Sequence, residues 1–174
     1  RATILRRLTR RMQVTGIDSL EAYAAHLKDH PDETRALFKD ILISVTSFFR
    51  DPAAFAYLEH HVIPDLFANK TSADTIRVWV PGCATGEEAL SIAMLLLEHR
   101  QTIAARPEIQ VFASDVDDEA LQFARRGMYP ASISSDVSKD RLSHFFSVQT
   151  NGYVVKPKLM DTVLFAEHNL VSDP

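Results

Sequence analysis

The chain has 174 residues, 46% of them apolar, and its 19 basic and 23 acidic side chains give a formal net charge of −4. That length suits one large domain or two small ones around a hydrophobic core, and the acidic balance argues against a nucleic-acid partner, as does the lack of aromatic residues within its basic stretch. No apolar run reaches the roughly 20 residues of a membrane span, and the Arg-rich start lacks a signal peptide's apolar segment, so no membrane insertion and a cytoplasmic setting are expected.

Residues 1–16 carry Arg1, Arg6, Arg7, Arg10 and Arg11 and no acidic residue, while Ile4, Leu5, Leu8 and Met12 fall near helical spacing. The stretch is predicted to be a helix with a basic face, suited either to an acidic partner or simply to solvent. Asp18, three residues before Glu21, resembles a capping box opening a helix over Leu20 to Lys28. Pro31 opens a third helix running through Leu37 to Ile43, and together these predict a small helical domain over residues 1–50. Asp51 as N-cap and Pro52 in the first turn start a longer helix through Phe55, Leu58 and Val62. With Asn69 to Asp74 as a turn, residues 51–74 read as a connecting helix and linker.

From Ile76 the pattern alternates: strand (Ile76–Val80), helix (Gly86–His99), strand (Ile109–Ser114) and helix (Asp118–Arg126). That is the signature of a parallel sheet with crossover helices, for which right-handed connections predict a doubly wound fold. In the first of these helices Leu90, Ala93, Met94 and Leu97 form one face and Ile92 and Leu96 are apolar as well, so it is expected between two layers. Asp140 to Phe146 reads as helical. Gly152–Val155 and Thr162–Phe165 read as short strands, the second belonging either to the main sheet or to a hairpin insertion. The fold class is therefore α/β: a small helical domain followed, over residues 75–174, by a Rossmann-like domain with a small β-subdomain. Its few strands make the chain read as a C-terminally truncated piece.

The junction Val80-Pro81-Gly82-Cys83-Ala84-Thr85-Gly86-Glu87-Glu88 is a strand, a tight loop and a helix start, which leaves backbone N–H groups free and lets a ligand approach glycine closely. Glu87 and Glu88 would repel phosphate, and no Gly-Lys-Ser/Thr is present, so a neutral or cationic nucleoside suits the site better. The same glutamates could simply meet the helix dipole. Asp115 and Asp117 follow the second strand, where one carboxylate can accept from both ribose hydroxyls and the other can cap the next helix. Cys83, the sole cysteine, reads as a small turn residue, and the seven scattered histidines, His60 and His61 among them, predict no metal site.

In combination and in order, Thr46-Ser47-Phe48-Phe49-Arg50, Gly82-Cys83-Ala84-Thr85-Gly86-Glu87-Glu88 and Phe112-Ala113-Ser114-Asp115-Val116-Asp117, after an Arg-rich helical start, resemble the CheR-type chemotaxis receptor methyltransferases. The resemblance implies a Rossmann-like domain binding S-adenosylmethionine and an activity that methylates glutamate side chains on the cytoplasmic helices of chemoreceptors, with S-adenosylhomocysteine as product. It implies that Thr46 and Arg50 line the cofactor site, with Arg50 the catalytic residue near the reacting end. By the same resemblance Glu88, with Glu87 as second candidate, meets the methionyl ammonium, Asp115 the ribose, and Asn169 and Leu170 the adenine. Arg6, Arg7, Arg10 and Arg11 would face the receptor. Ser44 stands where the family often has asparagine, and the short Gln149-Thr150-Asn151-Gly152 turn implies a compact β-subdomain and recognition independent of a receptor tail. Two other classes compete: a catalytically inactive cofactor-binding or docking module of a larger signalling protein, and a methyltransferase acting on small molecules or nucleic acid.

Overall fold

The computed structural model describes residues 2–41 and 46–173, and the chain divides into two compact units, Arg1–Ser44 and Val45–Pro174. In the first unit, α1 (Ala2–Thr15), α2 (Leu20–Asp29) and α3 (Pro31–Ile41) are the three expected helices. The α2 cap is Ser19 rather than Asp18: its extended backbone lets the hydroxyl accept from the Ala22 N–H at 3.0 Å, the geometry that an N-cap needs. The last residues expected of the third helix, and Ser44, lie outside the described residues. Buried Tyr23 (1% exposed) donates to Glu33 at 2.7 Å, and Arg11 grips the same carboxylate at 3.0 and 2.5 Å, which ties all three helices together.

The second unit opens with α4 (Pro52–Tyr57), capped by Asp51, whose side chain accepts from Ala54 N–H. A π-helical turn (Leu58–Val62) joins it to α5 (Ile63–Phe67), so the single long helix predicted is one path with a wide turn inside it. The alternation then follows as expected: β1 (Thr75–Pro81), α6 (Glu87–Thr102), β2 (Glu108–Asp115) and α7 (Asp118–Arg126). Next come β3 (Met128–Tyr129), a 3-10 turn (Ala131–Ser135), α8 (Lys139–Phe145), β4 (Phe146–Gln149), β5 (Gly152–Val155), α9 (Pro157–Met160) and β6 (Val163–Glu167).

Strand order β1-β2-β6 makes a parallel sheet, and β3-β5-β4 a small antiparallel one. The open question about the last strand is thereby closed. Val163 pairs with Val111 and Glu167 with Asp115, so β6 belongs to the main sheet. A sheet that grows in one direction sends every right-handed crossover to the same face, so the described part is wound on one side, not on both as the alternation had suggested. Ile76, Val80, Ile109, Val111, Ala113, Val163 and Phe165 are buried on the helix side, whereas the register-matched row Trp79, Phe112 and Leu164 is 54%, 40% and 57% exposed. The all-round apolar helix is α6, buried at Ala89, Leu90, Ser91, Ala93, Met94, Leu95, Leu96 and Leu97 and packed against β2, α5 and α9. Burying a leucine contributes about 1.5–3 kcal/mol, so this helix anchors the sheet ends at which the loop before it sits.

Candidate functional site

The loop between β1 and α6 bends through three left-handed residues, Gly82 (φ +69°), Ala84 (φ +47°) and Gly86 (φ +92°). Gly86 is there for space as well as angle: a Cβ would sit 2.9 Å from that of Ala124 and 3.0 Å from the Phe165 ring. Gly82, by contrast, faces nothing within 4 Å, so the outer surface of the loop is open. Cys83 is 2% exposed, its N–H donates to the Ser114 carbonyl at 3.0 Å, and burial pushes its thiol up to about 12. A thiol so protonated is no nucleophile, in keeping with its reading as a turn residue.

Asp115 ends β2 beside this loop and holds it in place. One carboxylate oxygen accepts from Ala84 N–H at 2.8 Å, the other from Asp117 N–H at 2.9 Å, and its backbone carbonyl accepts from His168 N–H at 3.0 Å. Asp117 is the helix cap, accepting from Ala120 N–H at 3.2 Å, so of the two aspartates it is Asp117 that takes the capping role. A carboxylate has about four acceptor positions, of which the half-buried Asp115 uses two for these backbone N–H groups. The His168 bond also brings the β6 end alongside. There the Asn169 side-chain carbonyl accepts from Val171 N–H at 3.0 Å in a tight turn, and Leu170 is 60% exposed.

The two glutamates of the α6 first turn have different surroundings. Glu87 accepts from the Thr85 hydroxyl at 2.6 Å, and burial raises its carboxyl above the usual range. Glu88 is exposed and lines a cavity of about 490 Å³ together with Arg50, Asp51, Phe55 and Ile92. The structure thus brings Arg50 and Glu88 to one cavity and Asp115, Asn169 and Leu170 to neighbouring strand ends; Thr46 is half-buried ahead of Arg50. Between them, Phe48 is 2% exposed and packs edge-on against Tyr129 and Phe146, and Phe49 takes φ +50°.

Three residues that sequence reasoning passed over shape this site. The buried Ser91 hydroxyl donates to the Glu87 carbonyl at 2.7 Å and accepts from Phe49 N–H at 3.2 Å. The Tyr129 hydroxyl donates to the Thr85 carbonyl at 2.7 Å, which ties the small sheet to the loop. Arg141 lies over the Phe49 ring. No local signal marks any of them, because the contact by which each meets the loop or the Phe49 turn from afar spans more than 40 positions of chain.

In the first unit, Arg6, Arg7 and Arg10 line a shallow depression of about 370 Å³ with Lys39 and Asp40. Arg7 donates to the Asp40 carbonyl, and Arg11 is 19% exposed and bound to Glu33. The structure therefore uses Arg11 inside the unit, whereas Arg6 and Arg10 are exposed.

The family model for the all-alpha domain of CheR methyltransferase matches residues 1–42, and that for the SAM-binding domain of CheR methyltransferase matches residues 44–174. The chemotaxis protein methyltransferase of Escherichia coli is 33% identical across 99% of the chain, and chemotaxis protein methyltransferase 2 of Vibrio cholerae 29% across 95%. An uncharacterised 104.1 kDa protein of Rhodobacter capsulatus is 39% identical across 99%. The chain spans 59%, 58% and 18% of these relatives respectively. The residues present fit S-adenosylmethionine: an open glycine at the loop, a strand-end carboxylate with spare acceptor positions, and an exposed glutamate suited to an ammonium group. Both units match, in order, so the chain belongs to the CheR methyltransferase family, whose cofactor is S-adenosylmethionine.

Proposed function

We propose that this chain carries the methyl-donor site of a protein-glutamate O-methyltransferase of chemotaxis signalling. The observation that carries the reading is the Asp115 fork at the open loop, with Glu88 and Arg50 on one cavity nearby. In this reading Asp115 accepts the ribose hydroxyls, Glu88 pairs with the methionyl ammonium, and Asn169 and Leu170 flank the adenine. Thr46 and Arg50 complete the wall, with Arg50 near the reacting end. S-adenosylmethionine supplies a methyl group already activated on sulfonium, and a glutamate carboxylate oxygen of the substrate takes it in line as S-adenosylhomocysteine leaves. The protein's share is then alignment and charge placement.

The substrate in this reading is a chemoreceptor's glutamate-bearing cytoplasmic helices, met by Arg6, Arg7 and Arg10 in a cytoplasmic setting. The support is the exposed basic depression and the names of the relatives. Among the described residues no helix is long and apolar enough to cross a membrane. Titrating S-adenosylhomocysteine calorimetrically and following labelled methyl transfer to receptor tests both parts. Silence toward the ligand refutes the methyl-donor reading, and binding without transfer supports an inactive cofactor-binding module instead. Changing Arg6, Arg7 and Arg10 to glutamate is expected to weaken transfer, in a salt-sensitive way, while cofactor affinity stays as it was.

A further inference from the structure

Arg141, in α8, is remote in sequence from every motif of the site, yet its guanidinium joins four segments. Its Nε lies 3.0 and 3.2 Å from the two Glu98 oxygens and its Nη2 2.8 Å from one of them, which makes a forked pair with α6. The same Nη2 donates to Glu59, in the π-helical turn, at 3.1 Å. Its central carbon stands 4.7 Å from the centroid of the Phe49 ring. The side chain is 21% exposed, so solvent screens these contacts only in part.

Phe49 is the residue that needs holding. A left-handed backbone is sterically disfavoured for a bulky side chain and persists only where surrounding contacts over-determine it. Here Ser91 accepts its N–H, Phe55 meets its ring edge-on at 5.2 Å, and Arg141 lies over the ring face. Arg50 is the next residue, and the turn at Phe49 sets the direction from which it reaches the cavity it shares with Glu88.

We propose that Arg141 is a positioning residue for Arg50: braced by Glu98 and Glu59, it holds the Phe49 turn from which Arg50 lines the cavity. This rests on the methyl-donor reading for its functional consequence. Only an arginine suits the place, because a planar fork can grip a carboxylate with two bonds and still lie on an aromatic ring, whereas an ammonium cannot.

The test compares wild type, Arg141→Lys, Arg50→Lys and the double variant. In Arg141→Lys the Phe49 amide is expected to exchange hydrogen at least about tenfold faster, and kcat for methyl transfer to fall about tenfold while KM for the donor moves less than about twofold. In the Arg50→Lys background the same substitution is expected to cost nothing further in kcat, a non-additivity that a merely structural role would not produce. Unchanged Phe49 exchange, or losses in kcat that add, overturns the proposal. Wild-type protein silent toward S-adenosylhomocysteine overturns the methyl-donor reading separately, and the exchange measurement then still decides whether Arg141 holds the turn.

Discussion

Asp115→Ala should destabilise the second unit before any ligand is considered. Its carboxylate receives two backbone N–H groups, from Ala84 at 2.8 Å and Asp117 at 2.9 Å, and each hydrogen bond to a charged group contributes about 1.5–3 kcal/mol. Water can reach the half-buried site and recover part of this, so the pair is expected to leave a net loss of about 2–3 kcal/mol. For a unit of this size that corresponds to a fall in Tm of about 6–9 °C. Thermal unfolding without ligand, followed by the fluorescence of Trp79 on the neighbouring strand, measures it. A variant melting within about 1 °C of wild type would falsify the claim that Asp115 braces the loop. The result also governs how ligand data are read: Asp115→Asn keeps an acceptor for one of the two N–H groups and should lose roughly half as much stability. A complete loss of S-adenosylhomocysteine binding in that milder variant then supports the proposed ribose contact rather than a collapsed loop.

Gly86→Ala combines a left-handed backbone with a Cβ 2.9 Å from Ala124, so a loss of about 3 kcal/mol is expected in denaturant unfolding; a change under about 1 kcal/mol contradicts the packing described. Tyr129→Phe removes only the bond to the Thr85 carbonyl and should cost about 1 kcal/mol while loosening the loop, seen as faster amide exchange at Thr85 and Gly86. Glu33 is held below its ordinary value by the Arg11 hydrogen bond, so its stabilisation is complete above about pH 4.5 and disappears as pH falls through the folded value. The gap in urea midpoint between wild type and Glu33→Gln should therefore be narrower at pH 3 than at pH 7; a constant gap argues against the pair. Glu87 has the opposite sign. Burial raises its carboxyl, the unfolded chain ionises first, and stability drops as pH rises above the ordinary value of about 4.5. Glu87→Gln keeps an acceptor for Thr85 and should flatten that drop, and an unaltered pH profile would count against a raised Glu87 carboxyl.

What the sequence determined by itself was everything written in neighbouring residues. The period of the apolar positions in α6 and α7, the Asp51-Pro52 helix start and the glycines of the loop are local, since helix registry, caps and left-handed turns depend on a few adjacent side chains. Where two residues able to play one part stood side by side, local information stopped short. Asp18 against Ser19 as the cap, and Glu87 against Glu88 at the cavity, differ only in what lies opposite them. The tertiary structure alone decided that the last strand joins β2, that the described sheet carries helices on one side, and that Arg11 is spent on Glu33 while Arg6 and Arg10 are exposed. It alone placed Ser91, Tyr129 and Arg141 against the loop and the Phe49 turn. These are pairings between distant positions, and their energies come from burial and mutual geometry that no window of sequence contains.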